Sequence, residues 1–139
     1  MELRLELIIV PVSDVDRAKE FYRDQTGFTV DVDHRAGETF RVVQLTPPGS
    51  HCSISFGTRI SRMEPGSLHG MHLVVADIER AREELVGRGV DADALVHFVD
   101  GAPTPGVHPD REDYGTFCSF RDPDGNTWVL QEVGWRTPA

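Results

Sequence analysis

The sequence predicts an α+β fold built from two tandem βαβββ modules, and three observations predict it. The first is an internal repeat, in which Pro11-Val-Ser-Asp-Val-Asp-Arg-Ala18 lies over Val74-Val-Ala-Asp-Ile-Glu-Arg-Ala81 at an offset of 63 residues. The second is a further pair at an offset of 76, with Thr46-Pro-Pro-Gly-Ser-His-Cys-Ser-Ile-Ser-Phe56 over Asp122-Pro-Asp-Gly-Asn-Thr-Trp-Val-Leu-Gln-Glu132. The third is a shared grammar: each half reads as an apolar β-rich run, a capped helix and three more strands. The second offset exceeds the first by 13 residues, and most of that extra length is placed in residues 97–115. Modules are therefore expected at 1–62 and 63–139, the second carrying an inserted loop near 97–115.

Each element follows from local chemistry. Leu3 to Val12 is an apolar run suited to a strand, and Ser13 or Asp14 can cap the helix that follows. In that helix Val15, Ala18, Phe21 and Tyr22 keep helical spacing until Gly27 stops it. Phe28 to His34, Thr39 to Leu45 and His51 to Phe56 are the next three strands. The second half repeats the scheme with a strand at Met71 to Val75, Asp77 as the cap, and Ile78, Ala81, Leu85 and Val86 as the buried stripe before Gly87 and Gly89. Its last strands are expected at Asp93 to Phe98, Thr116 to Phe120 and Thr127 to Val133, and the turns Pro47-Pro-Gly49 and Pro123-Asp-Gly125 suit hairpins.

Composition narrows the partners. The 139 residues carry 14 Lys and Arg against 23 Asp and Glu, a formal charge of −9, which repels phosphate backbones and anionic lipid surfaces. Neither nucleic acid nor membrane is expected as a partner. No apolar run is long enough to span a bilayer, and MELRLELIIVPVSD lacks the basic head and cleavage site of a signal peptide, so a cytoplasmic protein is expected. Cys52 and Cys118 stand apart with no paired spacing, which reads as two thiols rather than a disulfide or a thiolate metal site.

Strand alternation separates two faces. Ile8, Val10, Cys52, Ile54, Phe56, Met71, Leu73, Val75, Trp128 and Leu130 form an almost wholly apolar one, which must lie against the helices. The opposite face carries Leu7, Ile9 and Pro11, then His51, Ser53 and Ser55, then Gly70, His72 and Val74, and finally Thr127, Val129 and Gln131. An apolar wall with a few imidazole, hydroxyl and amide groups is the usual lining of a small-molecule pocket.

The segments VPVSDVDRAKEFY at 10–22, VVADIERA at 74–81 and FRDPDGNTWVLQEV at 120–133, taken in this order, resemble the vicinal oxygen chelate superfamily, the glyoxalase and bleomycin-resistance fold. The resemblance covers essentially the whole chain. It implies two curved sheets with the helices outside, together lining a ligand cup, and a homodimer. It leaves the activity open, because that scaffold hosts lyases, isomerases, dioxygenases, thiol transferases and proteins that sequester antibiotics.

By the same resemblance, metal-dependent relatives keep ligands at places that here are Leu7, Ser53, Gly70 and Val129, none of them a strong donor. Glu132 shares the phase of Trp128 and Leu130 and so leaves the ligand face. His69 and His72 are the best surviving suggestion of a displaced metal site, with Gln131 in the right phase beside them. The expectation is a site with no metal and no cofactor.

Two functional readings follow. In the first, the chain binds a small lipophilic, aromatic molecule for drug sequestration or resistance, through Leu7, Ile9, His51, Ser53, Ser55, His72, Val74, Thr127, Val129 and Gln131. Phe98 and Tyr114 join them if the 97–115 insertion is a lid; the alternative is a surface loop or a dimer contact. In the second, the chain is an enzyme: a metal-independent isomerase or cyclase using His72 or His51 as acid or base, or a lyase with an atypical metal site. Arg41 has two readings, an anion-binding group or a strand-edge ion pair.

Overall fold

The computed structural model describes residues 1–135, which fall into two compact units, each an open curved sheet with one helical element. Unit 1 holds residues 1–68 together with 122–126, and unit 2 holds residues 69–121 with those from 127 onward. Among the described residues no helix is long and apolar enough to cross a membrane.

In unit 1, β1 (Leu7–Ile9), β2 (Thr29–Ala36), β3 (Phe40–Thr46) and β4 (Ser53–Thr58) lie in the order β1-β4-β3-β2. β1 and β4 run parallel and the other pairs are antiparallel. A parallel pair needs a crossover, which is supplied by α1 (Val15–Glu20) and a π-helical turn over Phe21–Gln25. Asp14 caps α1 by accepting from the Arg17 N–H at 3.0 Å, as its position before Val15 predicts. Gly27, at φ +78°, ends the helical run in a conformation that residues with a Cβ resist.

The core of unit 1 lies between these helical turns and one sheet face. Val43, Leu45, Ile54 and Phe56 are buried there with Ala18, Phe21 and Tyr22. Arg41 shares the phase of Val43 and Leu45 and is 8% exposed. It donates to Asp33 through Nε at 3.0 Å and Nη2 at 2.9 Å, and to Asp16 through Nη1 at 2.6 Å. Lys19 adds a second cation to Asp33 at 2.8 Å. Of the two sequence readings of Arg41, the ion pair is the one formed.

The Arg41 hydrogen bonds, and then that of Lys19, hold the Asp33 carboxyl well below the usual carboxylate range. A carboxyl lowered in the folded state adds stability above its unfolded pKa and loses it as pH falls. Asp33→Asn is therefore expected to cost about 2 kcal/mol at neutral pH. The difference from wild type should shrink below about pH 4. Urea denaturation across that pH range checks both.

Unit 1 is closed by a segment that comes from far along the chain. The turn 122–126 carries Asp122, 4% exposed, and Asn126, fully buried. The Tyr22 hydroxyl donates to Asp122 Oδ2 at 2.7 Å. Asn126 Nδ2 donates to the Pro11 carbonyl at 2.9 Å and to Asp122 Oδ2 at 2.8 Å, while its Oδ1 accepts from the Leu68 N–H at 3.0 Å. Ser13 and Arg17 both donate to Asp124 Oδ1. The backbone approaches so closely that a Cβ on Gly66, whose φ is +83°, would stand 2.1 Å from the Asp124 carbonyl oxygen.

Unit 2 contains β5 (Met71–Val75), α2 (Ile78–Gly87), β6 (Asp91–Ala92), β7 (Val96–Val99), β8 (Ala102–Pro105), β9 (Thr116–Arg121) and β10 (Thr127–Glu132). The strand order is β5-β10-β9-β7-β8, with β6 also on β9. β5 and β10 are parallel, with α2 as the crossover, and the remaining pairs are antiparallel. Asp77 caps α2 by accepting from the Arg80 N–H.

Two expectations need correction. The strand expected over Asp93 to Phe98 runs instead over Val96–Val99, and Ala102–Pro105, within the insertion expected as a loop, pairs with it as a hairpin. Gly101, at φ +79°, makes its turn, and Pro103 and Pro105 are tolerated because β8 is an edge strand. Likewise β4 starts at Ser53, not at His51. The Ser50 hydroxyl takes the Cys52 N–H at 3.1 Å and donates to the Cys52 carbonyl at 3.0 Å, so these groups are diverted from a ladder and strand phase does not orient His51.

Candidate functional site

On β10, burial alternates: Trp128, Leu130 and Glu132 are buried, while Thr127, Val129 and Gln131 are half-buried. Register carries that alternation across the sheet. Val129 lies between His72 of β5 and Ser119 of β9, and Gln131 lies between Val74 and Phe117. Phe117 in turn faces Val96 of β7, and Phe98, in the same phase as Val96, meets the Phe117 ring edge-on at 5.4 Å. The open face of unit 2 is thus an apolar strip of Val74, Val129, Phe117 and Phe98 with three polar groups, His72, Ser119 and Gln131.

Val74 is 62% exposed and Phe98 is 50% exposed, large fractions for apolar side chains on a sheet. His72 points its Nδ1 at the Gly70 carbonyl oxygen, 2.6 Å away. Thr127, at the start of β10, is engaged locally: its hydroxyl oxygen accepts from the Gly70 N–H at 2.9 Å and lies 3.2 Å from His69 Nδ1.

The corresponding sheet face of unit 1 is more enclosed. Leu7 and Ile9 of β1 lie beside Ser53 and Ser55 of β4, and Ser55 lies beside Gln44 of β3. Thr46 donates to Asp31, so the 2.7 Å contact between Thr46 and Ser53 must be a bond that Ser53 donates. Both serines are nearly enclosed, at 6% and 2% exposure, leaving Leu7 as the more open group.

The predicted residues therefore sort by place. His72, Val74, Val129, Gln131 and Phe98 share the open face of unit 2, with Thr127 at its margin; Leu7, Ile9, Ser53 and Ser55 share one more enclosed face of the sheet of unit 1. His51 is exposed in the turn before β4. Tyr114, at φ +64°, is tied through its N–H to the Glu132 carbonyl at 2.9 Å, with its side chain exposed. Sequence reasoning missed Phe117 and Ser119 in unit 2 and Gln44 and Thr46 in unit 1. The alternation within each strand was visible, but joining it to the neighbouring strand required the register.

The positions expected to hold a metal carry no strong donor. The places that the resemblance marks as ligands hold Leu7, Ser53, Gly70 and Val129, and among the described residues no group of three or more His, Cys, Asp or Glu side chains is placed to hold a metal ion. Glu132 is turned to the core face and fully buried. It accepts from Arg111 Nε and Nη2, both at 2.6 Å, and from the Ile78 N–H at 3.0 Å. Burial pushes its carboxyl upward, but the Arg111 and Ile78 hydrogen bonds outweigh this and hold it below the usual range.

Comparison with known proteins agrees with this architecture. TnmS3, an antibiotic binding protein from Streptomyces sp. CB03234, superposes with a TM-score of 0.75 at 31% identity, over 94% of this chain and 96% of that one. A glyoxalase/bleomycin resistance protein from the same organism gives 0.71 at 32% identity, over 93% and 100%. YetH, an uncharacterized protein of Bacillus subtilis (strain 168), is 26% identical over 90% of this chain and 94% of its own length. The family model described as the Glyoxalase/Bleomycin resistance protein/Dioxygenase superfamily matches residues 4–130, and the chain belongs to that superfamily.

Proposed function

We propose that this chain binds a small lipophilic, aromatic molecule without a metal, as a sequestering or resistance protein does. The observation that carries the reading is the open face of unit 2, where Val74, Val129, Phe117 and Phe98 offer an apolar strip edged by His72, Ser119 and Gln131. Flat apolar rings suit the strip, and the polar groups fix orientation. The antibiotic binding activity of TnmS3, at 31% identity, supports the same class of ligand. The donor-poor ligand positions support binding without a metal. On this reading the protein acts in the cytoplasm as a homodimer, which light scattering of the purified protein tests.

Titration calorimetry with a panel of aromatic antibiotics is the direct test. Trp fluorescence is a weaker probe, since Trp128 is buried on the core face and stacked with Phe120. A ligand at 100 times its Kd should raise stability by about 2.7 kcal/mol, and mass spectrometry should recover it unchanged. Turnover would move the chain to the enzyme reading, a metal-independent isomerase or cyclase or a lyase with an atypical metal site. A stoichiometric metal that disappears in His72→Ala would overturn the metal-free reading.

A further inference from the structure

We infer that His72 selects for a hydrogen-bond donor on the ligand, so that the preferred aromatic molecule carries a hydroxyl, most simply a phenol. The inference rests on the binding role proposed for this face and goes on to name the ligand's chemistry. It begins from one contact: His72 Nδ1 stands 2.6 Å from the Gly70 carbonyl oxygen. A carbonyl only accepts, so Nδ1 carries the proton. In the neutral ring Nε2 is then an acceptor with no proton to give.

The neighbouring polar groups impose no such polarity. Gln131 pairs with Val74, while Ser119 lies across Val129 from His72, and a hydroxyl or an amide can both donate and accept. No hydrogen bond to another described residue holds either side chain. Either can adapt to a ligand carbonyl or a ligand hydroxyl. His72 is the group on this face with a fixed requirement, and the backbone sets it: Gly70, at φ +79°, turns the chain just before β5 and is held by its N–H to Thr127. A ligand that offers a lone pair to Nε2 meets repulsion there, whereas one that offers O–H gains a bond.

The test uses a pair of probes, 2-naphthol and 2-methoxynaphthalene, in which a methyl group replaces the donor hydrogen. Calorimetry on the wild type should show 2-naphthol binding about tenfold more tightly. His72→Phe, which keeps a flat side chain but offers no lone pair, should bring the two probes to equal affinity. Long-range proton–nitrogen NMR of the neutral His72 ring in the free protein should show the proton on Nδ1. A proton on Nε2, or equal affinities in the wild type, overturns the inference and leaves the binding role standing. Binding of neither probe to the wild type overturns the aromatic-binding reading and the inference with it.

Discussion

Arg111→Met is expected to destabilise unit 2 by about 3–5 kcal/mol at neutral pH, the range for stranding one partner of a buried ion pair. Glu132 has no exposed surface, and Arg111 gives it two bonds of 2.6 Å. Without Arg111 the carboxylate keeps a single donor, the Ile78 N–H. The guanidinium also reaches Glu79 at 2.8 Å and lies 3.7 Å over the Trp135 ring, so the substitution also releases the insertion from the start of α2.

The sign of the pH effect follows. In the wild type Glu132 titrates below the usual range and stabilises the fold above it. In Arg111→Met only burial and one backbone donor remain, the carboxyl titrates higher, and protonation relieves the cost. The deficit should therefore narrow as pH falls. Arg111→Met with Glu132→Leu should regain much of the loss, because an apolar replacement of a buried pair strands no charge. Denaturant melts of the wild type and the two variants decide this, and an Arg111→Met loss below 1 kcal/mol at neutral pH would show that water reaches Glu132.

Asn126→Ala is the second large effect, about 3 kcal/mol on the stability of unit 1. The side chain is fully enclosed and serves the Pro11 carbonyl, the Leu68 N–H and Asp122 at once. Alanine leaves those groups short of a partner where water does not reach, at about 1–3 kcal/mol for each buried group left unsatisfied. Thermal melting should therefore fall. A melt within two degrees of wild type, about the shift expected for well under 1 kcal/mol, would mean that water replaces the amide.

These two residues also show where sequence reading stops. The repeat made the modules legible because Asp14 and Asp77 cap equivalent helices and Thr46 to Phe56 mirrors Asp122 to Glu132. Alternation placed Glu132 on the side of Trp128 and Leu130, which is where it lies. Nothing local names Arg111 as its partner, since 21 residues and two turns separate them. Asp-Pro-Asp-Gly-Asn read as a hairpin turn, and it is one, but its side chains bond to Pro11, Ser13 and Tyr22, 100 or more positions earlier. Long-range polar bonds leave no periodicity to detect. The open face was half legible for the same reason: His72, Val74, Val129 and Gln131 follow from parity, while Phe117 and Ser119 needed the pairing of β9.

The prolines of β8 also bear on how the molecule survives crowding. Residues along an edge strand alternate between facing the neighbour and facing away, and a proline that has no N–H fits the outward places. Pro103 and Pro105 are two apart, so both outward places on β8 lack a donor. An extended chain from another molecule finds no N–H there on which to build a ladder. The insertion widens the sheet and at the same time ends its growth, so a protein with apolar groups open on one face is guarded at this edge against fibre-like association.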